Sequence, residues 1–504
     1  MKPTKNSIYI LLLTVLGFSC NLEELDVNPN SPTEVAPGPL FTNVLLRTAG
    51  ETGTSRRGSI GYCMMMVQQT ATLKTDDLEG DKYLASNNVS QLFNFTYSTL
   101  AKNIEAVIAM VKEDPAQANL YGAIRIWKVL VYHRVTDLYG DVPYFEAGAG
   151  YNQQVYFPKY DAQEEIYMHM LKELEEASAL LATDDQSIAD ADFIYDGDIA
   201  RWKRLANSLM LRLAMRLVKK DPAKAEEWTK KALAGGVMDS NADDCMIRHE
   251  STREVNSNPA AFAFFKFDLV KLGDIKISKT LMDYLKQTGD PRISVYCSLP
   301  DGDSDPAMQK GLPNGYDITT IDNFEPSADL TTFSNPNIAS FLDLSAPTVL
   351  LTWSETELLR AEAAARGWTG ENAAEHYAKG LEASMKQQAV YGEAGMIEAS
   401  AITGFITANP YPSGGTLEEQ LRQINVQYWV ATFMNGFESY ANWRRTGYPE
   451  LVPVNYNNNA SNGTIPRRLM YPIAEYSANG SNLKTAIDRQ GVDKFTTRIW
   501  WDQE

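Results

Sequence analysis

Residues able to do covalent chemistry are scattered in this chain rather than grouped. The four histidines, His133, His169, His249 and His376, stand singly, and His249-Glu250 lacks the second His that a zinc-hydrolase helix requires. No P-loop and no Gly-x-Ser-x-Gly elbow occurs. Asp301, Asp303 and Asp305 alternate like the start of a calcium loop, yet Pro306 stands where that loop needs Gly and Leu312 where it needs a bidentate Glu. A glycosidase needs only two carboxylates flanking a sugar bond, but among 64 acidic residues no pair stands out. No catalytic residue, metal ligand or cofactor is therefore assigned.

Aromatic residues offer a different chemistry, since flat rings stack on sugar faces while nearby amides and carboxylates bond hydroxyls. Phe93, Asn94 and Tyr97 follow the polar pair Asn87-Asn88, and Tyr316, Phe324 and Phe333 lie in an irregular middle region. These six are the candidate ligand-binding residues, and they select a ligand without reacting with it.

Helices must position them. Leu120, Ala123, Ile124, Trp127, Leu130, Val131 and Val135 recur at three- and four-residue steps until Gly140-Asp141-Val142-Pro143 turns the chain. Further amphipathic helices are expected at 162–181 and 200–219, and another from Pro222 to Gly235-Gly236. Ser354-x-x-Glu357 and Thr416-x-x-Glu419 read as capping boxes, and 373–388 as a return helix after Gly367-Trp368-Thr369-Gly370. These lengths resemble tetratricopeptide pairs, without a strict period. About 237–350 the chain is rich in Pro, Gly, Asp and Asn, and 455–463 is almost wholly Asn, Ser and Gly with one Tyr, so both read as loops.

The first 19 residues read as an export signal. Lys2 and Lys5 precede an apolar run, Ile8 to Leu16, that is too short to span a bilayer, and Gly17-Phe18-Ser19 leads into Cys20, the expected lipid-attachment site. Acyl chains there would tether the mature chain, residues 20–504, to a membrane. Glu23, Glu24 and Asp26 follow within six residues. The formal charge of -18 becomes -20 once Lys2 and Lys5 leave with the signal, which makes nucleic acid an unsuitable partner. With Cys20 lipidated, Cys63, Cys245 and Cys297 allow at most one disulfide.

Several motifs occur in an order that resembles the SusD/RagB family of outer-membrane lipoproteins, particularly its second SusD-like group. They are Thr136-Asp137-Leu138-Tyr139-Gly140-Asp141-Val142-Pro143-Tyr144, Gly289-Asp290-Pro291-Arg292, Leu358-Leu359-Arg360-Ala361-Glu362-Ala363, Gly436 to Pro449, Ile465 to Leu469 and Trp500-Trp501-Asp502. The resemblance implies a mainly α, SusD-like single domain of tetratricopeptide-like helix pairs with a loop-rich ligand face. It further implies a surface-exposed Bacteroidetes protein that captures oligosaccharide or peptide for a SusC-like TonB-dependent transporter. None of the matched motifs is a ligand motif; Arg444 and Arg445 are expected to pair with buried carboxylates or stack on aromatics. A surface glycoside hydrolase with an unidentified carboxylate pair is the alternative.

Overall fold

The computed structural model describes residues 36–150, 154–182, 188–266 and 274–504; the signal, Cys20 and the acidic residues after it lie outside these. The apolar periodicity becomes helices: α1 (Pro37–Arg47), α2 (Ala101–Val111), α3 (Ala118–Tyr139), α4 (Gln163–Leu180), α5 (Ile199–Arg216) and α6 (Pro222–Ala234) precede the loop-rich region. After it come α7 (Trp353–Ala365), α8 (Ala373–Gln387), α9 (Leu417–Ala431), α10 (Gly436–Thr446) and α11 (Gly480–Gln490). Neighbours pack as hairpins, α3 on α4, α4 on α5, α5 on α6 and α7 on α8, while α9 lies across α7. This mainly helical fold of paired antiparallel helices is the expected class.

Local chemistry explains where the helices begin. Asp198 and Asp221 accept the amides of Arg201 and Lys224, and Pro222 occupies a first-turn position with no amide to satisfy. Thr416 and Glu419 form the expected capping box. Ser354 and Glu357 do not. The cap of α7 is Thr352, whose Oγ1 accepts the Glu355 amide at 3.1 Å, so the register starts two residues earlier. Ser354 instead donates to Gly380 O on α8 at 2.8 Å, and Glu357 accepts from His376. A Cβ on Gly380 would meet Leu358 Cγ at 2.8 Å, which is why α7 and α8 cross there over a glycine.

Buried charges tie the helices together. Arg212 of α5 meets Glu355 of α7 at 2.7 Å; Arg216 meets Glu438 of α10 at 2.6 Å, and Tyr428 of α9 donates to that same carboxylate at 2.7 Å. Asp137 of α3 faces Arg216 at 3.4 Å and accepts the Trp501 indole N–H at 3.0 Å. The matched motifs are spent on this framework. Arg445 grips Glu362 at 2.7 and 2.8 Å, and Arg444 lies over the Tyr440 ring at 4.1 Å. Arg292 pairs with Asp290 and reaches Ser384 on α8 and Gln427 on α9. At Gly140, with φ of 82°, the Gln490 side chain fills the space a Cβ would take.

The loop-rich region joins this body through short antiparallel pairs. Among the described residues the strands are β1 (Thr70–Ala71), β2 (Cys245–Ile247), β3 (Lys276–Ile277), β4 (Cys297–Ser298), β5 (Asn335–Pro336) and β6 (Thr348–Leu351), paired β1 with β3, β2 with β6 and β4 with β5. Cys63, Cys245 and Cys297 are free and buried. No disulfide forms among them, because Cys245 and Cys297 sit on strands of different sheets and Cys63 in a helical segment. Burial pushes the Cys63 thiol up to about 12.

Candidate ligand face

Three stretches distant in sequence converge on one surface: the segment after β1, the loop 312–333 and the tract 451–463. Their floor is a buried ion pair. Lys82 and Asp81 have fully buried side chains and stand 2.8 Å apart, and Lys82 also donates to Thr72 O at 2.7 Å. Asn314 donates to Asp81 and, at 2.9 Å, to Thr70 O, while the Gly315 amide reaches Asp81 at 3.3 Å. The loop is held to β3 as well, through Leu312 N to Ile277 O and Lys279 N to Leu312 O, both 2.8 Å. Lys276, almost wholly buried, donates to Phe333 O and Asn335 Oδ1, each at 2.9 Å; burial brings its ammonium down to about 8.

The third stretch lies over the first two. Gln68 donates to Val452 O at 2.6 Å, and the Ala460 amide to Tyr83 O at 2.8 Å. Gly315, with φ of 83°, lies so close to Val454 that a Cβ would meet Cγ1 at 2.7 Å. Tyr456 donates to Asp317, whose carboxylate also accepts from Thr319 and Thr320. Burial would raise the Asp317 carboxyl, but these donors outweigh it and hold the group well below the usual carboxylate range.

On this floor stands one pair of predicted rings. Tyr316 and Phe324 have centroids 6.0 Å apart at 54°, Tyr316 half-buried and Phe324 38% exposed. In the same loop Ile318, Thr319, Asp322 and Asn323 are exposed, as are Asn455, Asn457 and Asn458 beside the Tyr456 that bonds Asp317. An apolar ring edge fringed by amides and carboxylates is an arrangement that binds hydroxyl-rich molecules.

The other predicted residues go elsewhere. Phe333 is fully buried beneath the loop, packed with Ala71, Leu312 and Ile321, and presents no face to solvent. Phe93 is 3% exposed, with Tyr97 at 4.5 Å and Tyr139 at 5.4 Å, so its ring belongs to the helical core. Tyr97 is half-buried and donates to Pro143 O at 2.6 Å; Asn94 is exposed and donates to Ser90. The polar neighbours Asn87-Asn88 suggest exposure, but the short helix Gln91–Phe95 turns Phe93 inward. Tyr456 and Asp317 do not stand out in the sequence; their only signal is one Tyr in an Asn-rich tract.

Among the described residues no group of three or more His, Cys, Asp or Glu converges. Asp301, Asp303 and Asp305 each accept the amide two residues on, at 3.1, 2.8 and 2.9 Å, which places one oxygen of each in a turn.

A family model described as "Starch-binding associating with outer membrane" matches residues 29–472. The chain belongs to the SusD-like family. Solved SusD-like relatives superpose over nearly its whole length. A chitin-binding protein shares 32% identity at a TM-score of 0.82, over 93% of this chain and 100% of its own. A SusD-like protein from Bacteroidetes shares 28%, also at 0.82 and with the same coverage. A chitin-binding SusD homolog from Flavobacterium johnsoniae shares 27% at 0.78, over 92% and 98%. No curated protein sequence matches the chain. The family model is described as starch-binding and two of these relatives as chitin-binding, descriptions of binding rather than of catalysis.

Proposed function

We propose that this protein is a lipid-anchored, surface-exposed receptor of the outer membrane that captures glycan on the Tyr316–Phe324 face and hands it to a SusC-like TonB-dependent transporter. The observation that carries the reading is the ring pair itself: apolar surface left at the water boundary, on a floor where Asp81, Lys82 and Asn314 are already paired. Oligosaccharide is favoured over peptide, because the fringe is neutral amide and carboxylate with few cations. Two relatives are described as chitin-binding, so β-linked N-acetylglucosamine oligomers are the first ligands to test. Anchoring through Cys20 serves the hand-over, since a tether beside the transporter raises effective concentration.

Calorimetry with chitin oligomers, maltooligosaccharides and short peptides tests this directly. Saturable glycan binding is expected, weakened about tenfold in Phe324→Ala, a loss of about 1.4 kcal/mol. The Phe324 side chain is exposed, so the variant should fold as the parent does. Binding untouched by Phe324→Ala would remove the site, and binding of peptides alone would remove the ligand class. Replacing Cys20 with Ser should leave binding intact and abolish growth on the glycan.

A further inference from the structure

Beside the start of α10, away from the ring pair, lies a cavity of about 70 Å³, room for a group of a few heavy atoms. Its walls include Arg134 of α3, Gln388 just after α8, Asn435, and the rings of Phe341, Tyr391 and Phe433. Arg134 differs from most arginines of this core, although Arg444 likewise gives to backbone carbonyls rather than to a carboxylate. Arg212, Arg216, Arg292 and Arg445 each hold a carboxylate, whereas Arg134 has none within ion-pair distance among the described residues. Among those residues its sole acceptor is Thr48 O, 3.2 Å from Nη1. The guanidinium lies over the Phe437 ring, 4.7 Å from the centroid, which fixes its plane and leaves the other N–H groups without an acceptor there. Burial, with Arg212 nearby, brings this cation down to about 10.

On another wall Gln388 is 3% exposed, and its Nε2 donates to Ser384 O at 2.9 Å. That bond sets the amide orientation, and Oε1 is left buried with no donor. Glu355 also lines the cavity but is spent on Arg212 and Tyr428, at 2.7 and 3.0 Å. A guanidinium without a carboxylate and an orphaned acceptor thus line one small cavity with three aromatic rings.

We infer that this cavity binds a small carboxylate that also carries a hydroxyl or amino donor, its oxygens on the Arg134 fork and its donor on Gln388 Oε1. The fork geometry suits a planar carboxylate better than a lone hydroxyl. Such a group occurs on a sugar acid or on an amino acid, and the site is independent of the Tyr316–Phe324 face.

Titration of the full chain with glycolate, glucuronate and glycine, followed by calorimetry, tests the inference. Saturable binding is expected for glycolate, weaker binding for acetate, which lacks the donor, and about a tenfold loss in Arg134→Met. Gln388→Met should bring glycolate down to the level of acetate. Glucuronate binding without glycine identifies a sugar acid, and the reverse an amino acid. No saturation by any of the three probes, or unchanged glycolate affinity in folded Arg134→Met, overturns the site. Should that variant not fold, crystals of the wild-type protein grown with glycolate decide: density on the Arg134 guanidinium supports the site, and density elsewhere or none overturns it.

Discussion

The helical body and the candidate ligand face solve the same problem in opposite ways. Each must hold polar groups away from water. In the body, charge meets charge across helices far apart in sequence, as at Arg212–Glu355, Arg216–Glu438 and Arg445–Glu362. On the face, beyond the pairs Asp81–Lys82 and Lys310–Glu325, side-chain amides and ammoniums mostly grip backbone carbonyls, as Asn314 does Thr70, Lys276 does Phe333 and Gln68 does Val452. A buried ion pair is unforgiving, because removing one partner strands the other. A side-chain bond to a carbonyl binds backbone whatever residue carries it. The body is thereby specified by a few residue identities, and the face by the path of its loops.

Breaking the body should have the largest effect. Arg445→Met leaves Glu362 with Arg366 as its ion-pair partner and the Asn425 amide, and should lower unfolding free energy by about 3–5 kcal/mol in urea, with glycan affinity of the folded fraction unchanged. A matching loss of affinity would show that body and face are not separable. Smaller and opposite is Tyr456→Phe, which removes one hydroxyl from Asp317. Glycan affinity is expected to fall about threefold while the unfolding free energy from urea titration holds within about 0.5 kcal/mol of the parent.

The smallest effect is a difference in pH response. Glu362 would be raised by burial, but Arg445 and Arg366 hold it far below its ordinary 4.5. Its contribution is therefore complete above about pH 4.5 and lost as pH falls through the folded value. Lys276 is the reverse case: burial lowers it from 10.5 to about 8, so between those values the unfolded chain keeps a proton the folded chain has released. Stability should rise with pH in that window, and the rise should vanish in Lys276→Met when denaturant midpoints are compared. Parallel curves for parent and variant would show that Lys276 keeps its proton.

How much of this is legible in the sequence follows the same division. Helix α5 announces itself, because Trp202, Leu205, Leu209 and Leu213 lie on one side and Asp198 caps it locally. Arg444 and Arg445 declare their roles through residue type alone. The cap of α7 is ambiguous because two overlapping patterns, Thr352 with Glu355 and Ser354 with Glu357, offer the same spacing, and only packing against Gly380 chooses between them. Phe93 and Phe333 mislead for a related reason: polar neighbours in sequence do not reveal which way a short helix or loop turns a ring. Tyr456 and Asp317, 139 positions apart, meet only after the fold has formed, and no local pattern links them.

The indole of Trp501 has a consequence for the order of events during synthesis. Asp137 accepts its N–H across 364 positions of chain, and Arg216 lies 5.8 Å from the centre of that ring. A chain emerging from a ribosome or a translocation pore in the N-to-C direction presents Asp137 long before its partner exists. Until that partner arrives, the carboxylate and Arg216 lack a wall, and water keeps access to the charges between α3 and α5. The last wall of this charged core is therefore set only when Trp501 itself has emerged.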